Sequence, residues 1–340
     1  PWPGGEDKVK PGVQRYLANM SRRLFETDYL GPQVMQKAVH WLERNYTREN
    51  FFLWIDSWDP HEPWDPPQHY VDLYDPNYEG DELIFPCYGF IDEIMSEREA
   101  QHVRALYAAE TTMVDRWLGY LLDSIELFGL REDTMVVLMS DHGHYFGDHG
   151  LQGKPWGDLG QLYEPMAHLC FMVQHPQADP GRSDALVQPV DLFPTVCELS
   201  GISAPQGLQG QSFTDALLDK VGDRRSYAIT GRNLDDHWGT VPATVTDGEW
   251  TLVYWPNKDL AYRGKPVRTE RHRTIGYPER RVDELFFMPD DPEQKRCVLA
   301  AHPAEAKRLH EALLALVEET DSDANIAQTY RRLPGENYHL

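Results

Sequence analysis

TMVVLMSDHGHYFGDHGLQGK, residues 134–154, is the stretch on which the reading turns. Its first six residues form a continuous apolar, β-branched run of strand length, the pattern of a strand covered on both faces. A long helical period precedes it. Val103, Leu106, Tyr107, Val114, Trp117, Leu118, Leu121 and Ile125 recur at three- and four-residue steps across 97–129, and Gly129 is placed to end the helix. A helix that feeds directly into such a strand predicts an α/β fold, a mostly parallel sheet flanked by helices.

Working outward, FFLWID (51–56) and HLCFMV (168–173) read as further strands. Residues 32–46 read as a helix, with Val34, Ala38, Trp41 and Leu42 on one face and Pro32 in the first turn. VDLFPTVCELSGI (190–202) reads as a helix stopped by Gly201. Beyond residue 222 the texture changes. RSYAITGR (225–232), VPATVTDGEWTLVYWP (241–256) and RVDELFFMPDDP (281–292) look like strands, with Asp247-Gly248 as a hairpin turn. A helix over 303–319 carries Ala306, Leu309, Leu313 and Leu316 on one face. The expected organisation is an α/β domain over 1–222 and a smaller α+β domain over 223–340.

Composition narrows the class. Apolar residues make up 41% of the 340 and charged residues 26%, the balance of a folded chain. No apolar run approaches the roughly 20 residues of a spanning helix, so no membrane span is expected. With 32 basic against 55 acidic residues the formal charge is -23. Such a chain repels nucleic acid, whose phosphates need Lys and Arg. Four cysteines, none in a CxxC pair, give no disulfide framework, and Cys170 and Cys197 sit in apolar strings as small buried thiols. Compartment and oligomeric state are left open. The chain begins with Pro1, which points to a removed leader or a start within a longer protein.

The chemistry concentrates after the two strands. Asp141 and His142 leave the end of 134–139, where open α/β sheets bind ligands. A carboxylate beside an imidazole, with Gly143 to permit a sharp turn, suits Ca, Mg or Mn ahead of Zn. An isolated DHG would read as a capped turn, but His144, Asp148, His149 and Lys154 share this glycine-rich loop. Lys154 closes it beside Trp156 and can clamp an anion. The second loop, WDPHEPWDPP (58–67), holds His61 between Pro60 and Pro63, a stiff presentation suited to a general acid or an anion donor. It reads equally as a rim loop packed by Trp58 and Trp64. Trp58, Trp64, Trp156 and Tyr163 are candidates for stacking on a ring.

FFLWIDSWDPHEPWDPP, YAAETTMVDRWLGYLLDSIELFGLREDTMVVLMSDHGHYFGDHGLQGK, the later GLQGQSF and the tail DELFFMPDDPEQKRCVLA together resemble the type I sulfatase family, part of the alkaline phosphatase superfamily. The resemblance runs over nearly the whole chain. It implies that Asp141 and His142 match the family's divalent-metal pair and that Lys154 matches the lysine on the sulfate oxygens. It implies that His61 matches the histidine that contacts and protonates the leaving-group oxygen. No role is carried onto His149. One departure is large. The family's formylglycine arises in a Cys/Ser-x-Pro/Ala-x-Arg string, and no cysteine or serine of this chain has that context. The first two metal-binding aspartates of the family have no counterpart either. The expectation is a chain equivalent to the C-terminal two-thirds of a sulfatase, inactive by itself.

Three functions follow as expectations. The first is hydrolysis of a small-molecule or saccharide sulfate ester, with a divalent metal and, in the full-length protein, formylglycine. The second is a phosphonate monoester or phosphodiester hydrolase of the same superfamily. The third is a non-catalytic acidic binding domain.

Overall fold

Helix α5, Glu97–Leu127, is the longest element of the computed structural model, and both its ends are written in the sequence. Ser96 Oγ accepts the Glu99 N–H at 3.3 Å, and the Glu99 carboxylate accepts the Ser96 N–H at 2.7 Å. This capping box satisfies two donors that would otherwise be orphaned. At the other end the Leu130 N–H reaches the Ile125 carbonyl, and Gly129 takes φ +71°, the left-handed conformation that glycine adopts without a Cβ clash.

The structure describes residues 11–154, 160–220, 225–231, 242–256, 282–320 and 324–335. In chain order the elements are α1 (Pro11–Met20), α2 (Leu30–Asn45), α3 (Gln68–Val71), β1 (Gly89–Phe90), α4 (Ile91–Ile94), α5, β2 (Val136–Met139), β3 (Tyr145–Phe146), β4 (Leu151–Gly153), α6 (Glu164–Ala167), β5 (Phe171–Gln174), α7 (Leu192–Leu199), α8 (Thr214–Leu217), β6 (Ala228–Gly231), β7 (Ala243–Thr246), β8 (Trp250–Tyr254), β9 (Glu284–Phe287), α9 (Pro303–Glu319) and α10 (Ala324–Thr329). They divide into two units. One holds the described residues up to Met135 together with Phe146–Gly153; the other holds Val136–Tyr145 and the described residues from Lys154 onward.

In the first unit α2 packs on α5 through Met35, Ala38, Val39 and Leu42. Val103, Leu106, Ala109 and Met113 of α5 close a core with Trp64, Tyr70, Val71 and Met95. β1 pairs antiparallel with β4. Residues 51–56, expected as a strand, run extended but join no ladder among the described residues. Their apolar content signals a strand that needs neighbours, and none pairs with it among the described residues.

In the second unit β2 pairs antiparallel with β5, Val136 opposite Gln174 and Met139 opposite Phe171. The α/β class holds, but this pair runs opposite to the parallel arrangement expected around 134–140. A continuous apolar run reports burial and carries no information on strand direction. α7 ends at Gly201 as expected, with φ +67° and the Ile202 N–H on the Cys197 carbonyl. The strands after residue 222 form one antiparallel sheet, β6-β7-β8-β9. The Asp247-Gly248 turn joins β7 to β8: Asp247 Oδ1 accepts the N–H groups of Glu249 at 2.9 Å and Trp250 at 2.7 Å, and Gly248 takes φ +91°. α9 covers this sheet, burying Ala306, Leu309 and Leu313 against Val245, Leu252, Tyr254 and Leu285. Cys197 is buried as expected and Cys170 is exposed. No helix among the described residues is long and apolar enough to cross a membrane.

Candidate functional site

His61 sits in the first unit, on a loop braced from inside. The Asp59-Pro60 and Glu62-Pro63 bonds are cis. The His61 N–H donates to the Trp58 carbonyl at 2.9 Å, and the Trp64 indole N–H donates to the Pro60 carbonyl at 2.9 Å. Trp64 is fully buried, against Tyr107 and Phe146, so it anchors the loop and offers no stacking face. Trp58 is exposed and lies 4.2 Å from the His61 ring, centre to centre. His61 Nδ1 is 2.6 Å from the Glu62 carbonyl and 3.4 Å from the Glu62 carboxylate. A carbonyl only accepts, so Nδ1 carries a proton.

Behind this loop lies a carboxyl cluster in the same unit. Asp65 accepts the Tyr16 hydroxyl at 2.6 Å and pairs with the Arg23 guanidinium. Asp59 accepts the Gly31 N–H at 2.6 Å. Glu110, buried on α5, takes the Asp65 N–H, while its Oε2 has no partner. Burial, and then the Asp59 and Asp65 charges, push the Glu110 carboxyl up to about 9. Burial likewise raises Asp59, against the Gly31 N–H, and raises the Tyr16 phenol. The sequence reading missed this cluster. Its signal was a glutamate three residues before Met113 and four after Leu106, on the apolar stripe of the helix.

Asp141 and His142 sit in the second unit, just past the end of β2. Asp141 Oδ1 accepts the His142 N–H at 2.9 Å, and His142 Nδ1 contacts the Gly143 carbonyl at 2.8 Å. Gly143 is fixed by space: a Cβ there would meet the Pro165 carbonyl oxygen at 1.9 Å. The Gly143 N–H donates to the Met166 carbonyl at 3.0 Å, so the turn after Asp141 is pinned to α6. Lys154 follows β4 and is half-buried; Trp156, expected beside it, lies outside the described residues. Tyr163 is buried and donates its hydroxyl to Glu284 at 2.5 Å, a packing role. Asp148 accepts the Phe146 N–H at 3.0 Å and shapes the turn before β4. His61 thus belongs to one unit, and Asp141, His142 and Lys154 to the other.

The donor chemistry of the Asp141–His142 pair fits a hard divalent ion in part. Asp141 Oδ2 and His142 Nε2 lie 3.6 Å apart, about the span of two ligands on one ion, and the carboxylate is 87% exposed. Two donors fall short of the six to eight that calcium takes. Among the described residues no group of three or more His, Cys, Asp or Glu side chains is gathered to hold a metal. Any such ion would need further donors besides this pair.

The α/β frame is that of the alkaline-phosphatase-like folds. The family model for sulfatases matches residues 8–202, more than half of the chain, and the chain belongs to the sulfatase family. It is 26% identical over 331 residues to a sulfatase of Formosa agariphila, covering 91% of this chain and 58% of that protein. It is 26% identical over 231 residues to an N-acetylglucosamine-6-O-sulfatase of Bacteroides thetaiotaomicron, covering 67% of this chain and 37% of the relative. The chain spans about half the length of the relatives it matches. Among solved structures, one in complex with its substrate D-glucosamine-2-N,6-O-disulfate superposes with a TM-score of 0.67 at 17% identity, covering 88% of this chain and 71% of that one. A phosphonate monoester hydrolase of Silicibacter pomeroyi gives 0.65 at 19% identity, covering 93% and 70%. At these identities the structures speak for the fold. Sulfatases typically use a divalent metal; the pair described above does not identify which.

Proposed function

We propose that this chain carries the His61, Lys154 and Asp141–His142 part of the active site of a sulfuric ester hydrolase, whose nucleophile comes from polypeptide outside these 340 residues. The supporting observation is the family match over 8–202, which runs through all four residues. By the family resemblance that nucleophile would be a formylglycine.

Each residue has work that its chemistry allows. The His61 ring is oriented by its Nδ1 bond to the Glu62 carbonyl and by Trp58 at its face. The Nε2 proton goes to the departing ester oxygen, which leaves as a neutral alcohol. The Lys154 ammonium offers three donors and a charge to the sulfuryl oxygens as negative charge builds there. Such local cations let a chain of net charge -23 accept an anionic substrate. Asp141 and His142 would hold a divalent metal, calcium first with magnesium or manganese next, and when bound it supplies Lewis-acid stabilisation of an oxyanion. The substrate class is a small or saccharide sulfate ester. The supports are the relative named for N-acetylglucosamine-6-O-sulfate and the structure that holds a glucosamine disulfate.

The test is hydrolysis of an aryl sulfate by the intact protein, its His61→Ala variant and its Lys154→Ala variant. Each substitution is expected to lower kcat/KM by about 100-fold or more. Equal turnover by all three proteins removes the roles given to these residues. Faster hydrolysis of a phosphonate monoester than of the sulfate moves the protein to the phosphonate hydrolases. Hydrolysis of neither leaves the acidic binding domain.

A further inference from the structure

Glu110 is a carboxyl where the fold asks for a hydrocarbon. It is 3% exposed, one turn after Leu106 and one turn before Met113 on the stripe of α5 that packs the core. An apolar side chain there would pack at no electrostatic cost, whereas a buried carboxyl costs stability. Positions that break the local rule in this way are where function is expected. What Glu110 touches is the loop that carries His61. Residues 59–65 are tied at both ends by other elements of the same unit. At the first end Asp59 accepts the Gly31 N–H of α2 at 2.6 Å, and only a glycine leaves room for it, since a Cβ there would meet Asp59 Oδ2 at 2.9 Å. At the last end the Asp65 carboxylate takes the Tyr16 hydroxyl at 2.6 Å and the Arg23 guanidinium. Glu110 takes the Asp65 backbone N–H and feels the charges of both Asp59 and Asp65. Asp59 in turn feels the His61 imidazole. Tyr29, under the Arg23 guanidinium at 4.1 Å, completes the titratable groups around this point. Between the two ends Trp64 is held by its N–H on the Ile84 carbonyl at 2.7 Å and by its indole on the Pro60 carbonyl.

We propose that Glu110 is a positioning residue for His61: from α5 it pins the Asp65 end of the loop, as Gly31 pins the Asp59 end, and so holds the imidazole where it can give a proton to the departing ester oxygen. The inference rests on the role given to His61 above. Glu110 acts through the loop and needs no contact with the reacting atoms. Its chemistry suits the task. A carboxyl that keeps its proton still accepts the Asp65 N–H through its carbonyl oxygen, and it adds no third negative charge beside Asp59 and Asp65. Burial, and then those two charges, favour that form. A general acid displaced by about 1 Å loses on the order of 100-fold in rate, so one hydrogen bond at the root of the loop has a large effect at its tip.

The test compares the intact protein with Glu110→Met, which fills the apolar stripe but offers no acceptor, and Glu110→Gln, which keeps one. Two substrates are used. A nitrophenyl sulfate has a leaving group that departs without a proton, and an alkyl sulfate has one that needs it. Glu110→Met is expected to lower kcat on the alkyl ester by about tenfold or more and on the nitrophenyl ester by less than about threefold, with KM unchanged on both. Glu110→Gln is expected to recover most of the alkyl ester rate. Equal losses on the two esters overturn the proposal, because a general defect of folding lowers both alike. A Gln variant as slow as the Met variant overturns it too. The second readout is the His61 ring, followed by NMR with isotope-labelled histidine. A single sharp signal is expected in the parent and in Glu110→Gln, and a broadened or doubled one in Glu110→Met. An unchanged ring signal in Glu110→Met overturns the proposal whatever the turnover. The two levels separate in the same data. A loosened ring in a protein that hydrolyses neither ester removes the sulfatase reading and keeps the tie between Glu110 and His61. A leaving-group dependence in His61→Ala that is missing from Glu110→Met removes the role of Glu110 and keeps that of His61.

Discussion

The β6–β9 sheet and the β2–β5 ribbon are made of similar residues and reach different ends. WTLVYW in the first and TMVVLM in the second are both apolar runs of strand length. In the first, Leu252, Val253, Tyr254 and Trp255 are all 0% exposed; in the second, every residue from Val136 to Met139 is only half-buried, and Met172 opposite them is 58% exposed. The difference lies in what covers them. β8 has a strand on each side and α9 across one face. Among the described residues β2 has one partner, and a two-stranded ribbon buries little by itself. A hydrophobic strand is a demand for a layer, and the layer is what turns it into stability.

The largest expected effect follows from that contrast. Leu309 of α9 packs onto the covered sheet, 0% exposed, in one core cluster with Val245, Leu252 and Tyr254 of β7 and β8. Leu309→Ala should cost about 4 kcal/mol, the transfer term plus a cavity that neighbouring side chains cannot fill. Met172→Ala on the ribbon should cost well under about 1 kcal/mol, because the side chain is already largely in water. Urea unfolding of the two variants checks both values. Similar losses would mean that the ribbon is as well covered as the sheet.

Charge treatment gives a second test of the same contrast. In the covered region the buried Asp283 carboxylate accepts the Trp255 N–H at 2.9 Å, the Gly335 N–H at 2.9 Å and the Arg332 guanidinium at 2.7 Å. Asp283→Asn breaks this set and leaves a guanidinium without its counter-charge, so it should destabilise by about 3 kcal/mol at neutral pH. Thermal melts with and without the substitution read the loss. An unchanged melt would show that Arg332 is adequately solvated without Asp283.

The legible parts of the molecule were those that local chemistry specifies. α5 could be read because its period is long and its ends carry a capping box and a glycine stop. The β7–β8 turn could be read because Asp247 and Gly248 are what that backbone requires. The residues proposed to bear chemistry were picked out as motifs, His61 between two prolines and Asp141-His142 at a strand end. Pairing direction was not visible, since an apolar run looks the same whichever way its neighbour runs; β2 and β5 turned out antiparallel. That residues 51–56 join no ladder among the described residues was hidden for a related reason, because a strand pattern states a need for partners without saying whether they are present. The Asp59–Asp65–Glu110 cluster was hidden because its members, 51 and 45 positions apart from Glu110, meet only through tertiary packing.

That cluster is the opposite of Asp283, and the opposite sign is expected of it. Glu110 is buried beside Asp59 and Asp65, with Arg23 and the Tyr16 hydroxyl already engaged by Asp65. Its folded-state value, about 9, lies above the ordinary 4.5. A carboxyl raised on folding contributes stability that is fully present below its unfolded value and is lost as pH rises toward the folded one. The loss therefore spans pH 4.5 to about 9. Glu110→Gln keeps the shape and the acceptor for the Asp65 N–H, cannot ionise, and brings an amide N–H₂ toward two carboxylates. It should change little at pH 4 and stabilise by about 2 kcal/mol at pH 8, after discounting for relaxation around a coupled group. Chemical denaturation of the two proteins across this range measures the difference. Parallel stability curves from pH 4 to 8 would show that Glu110 is ionised and compensated in the folded protein, and that this region, like the covered sheet, pairs the charges it buries.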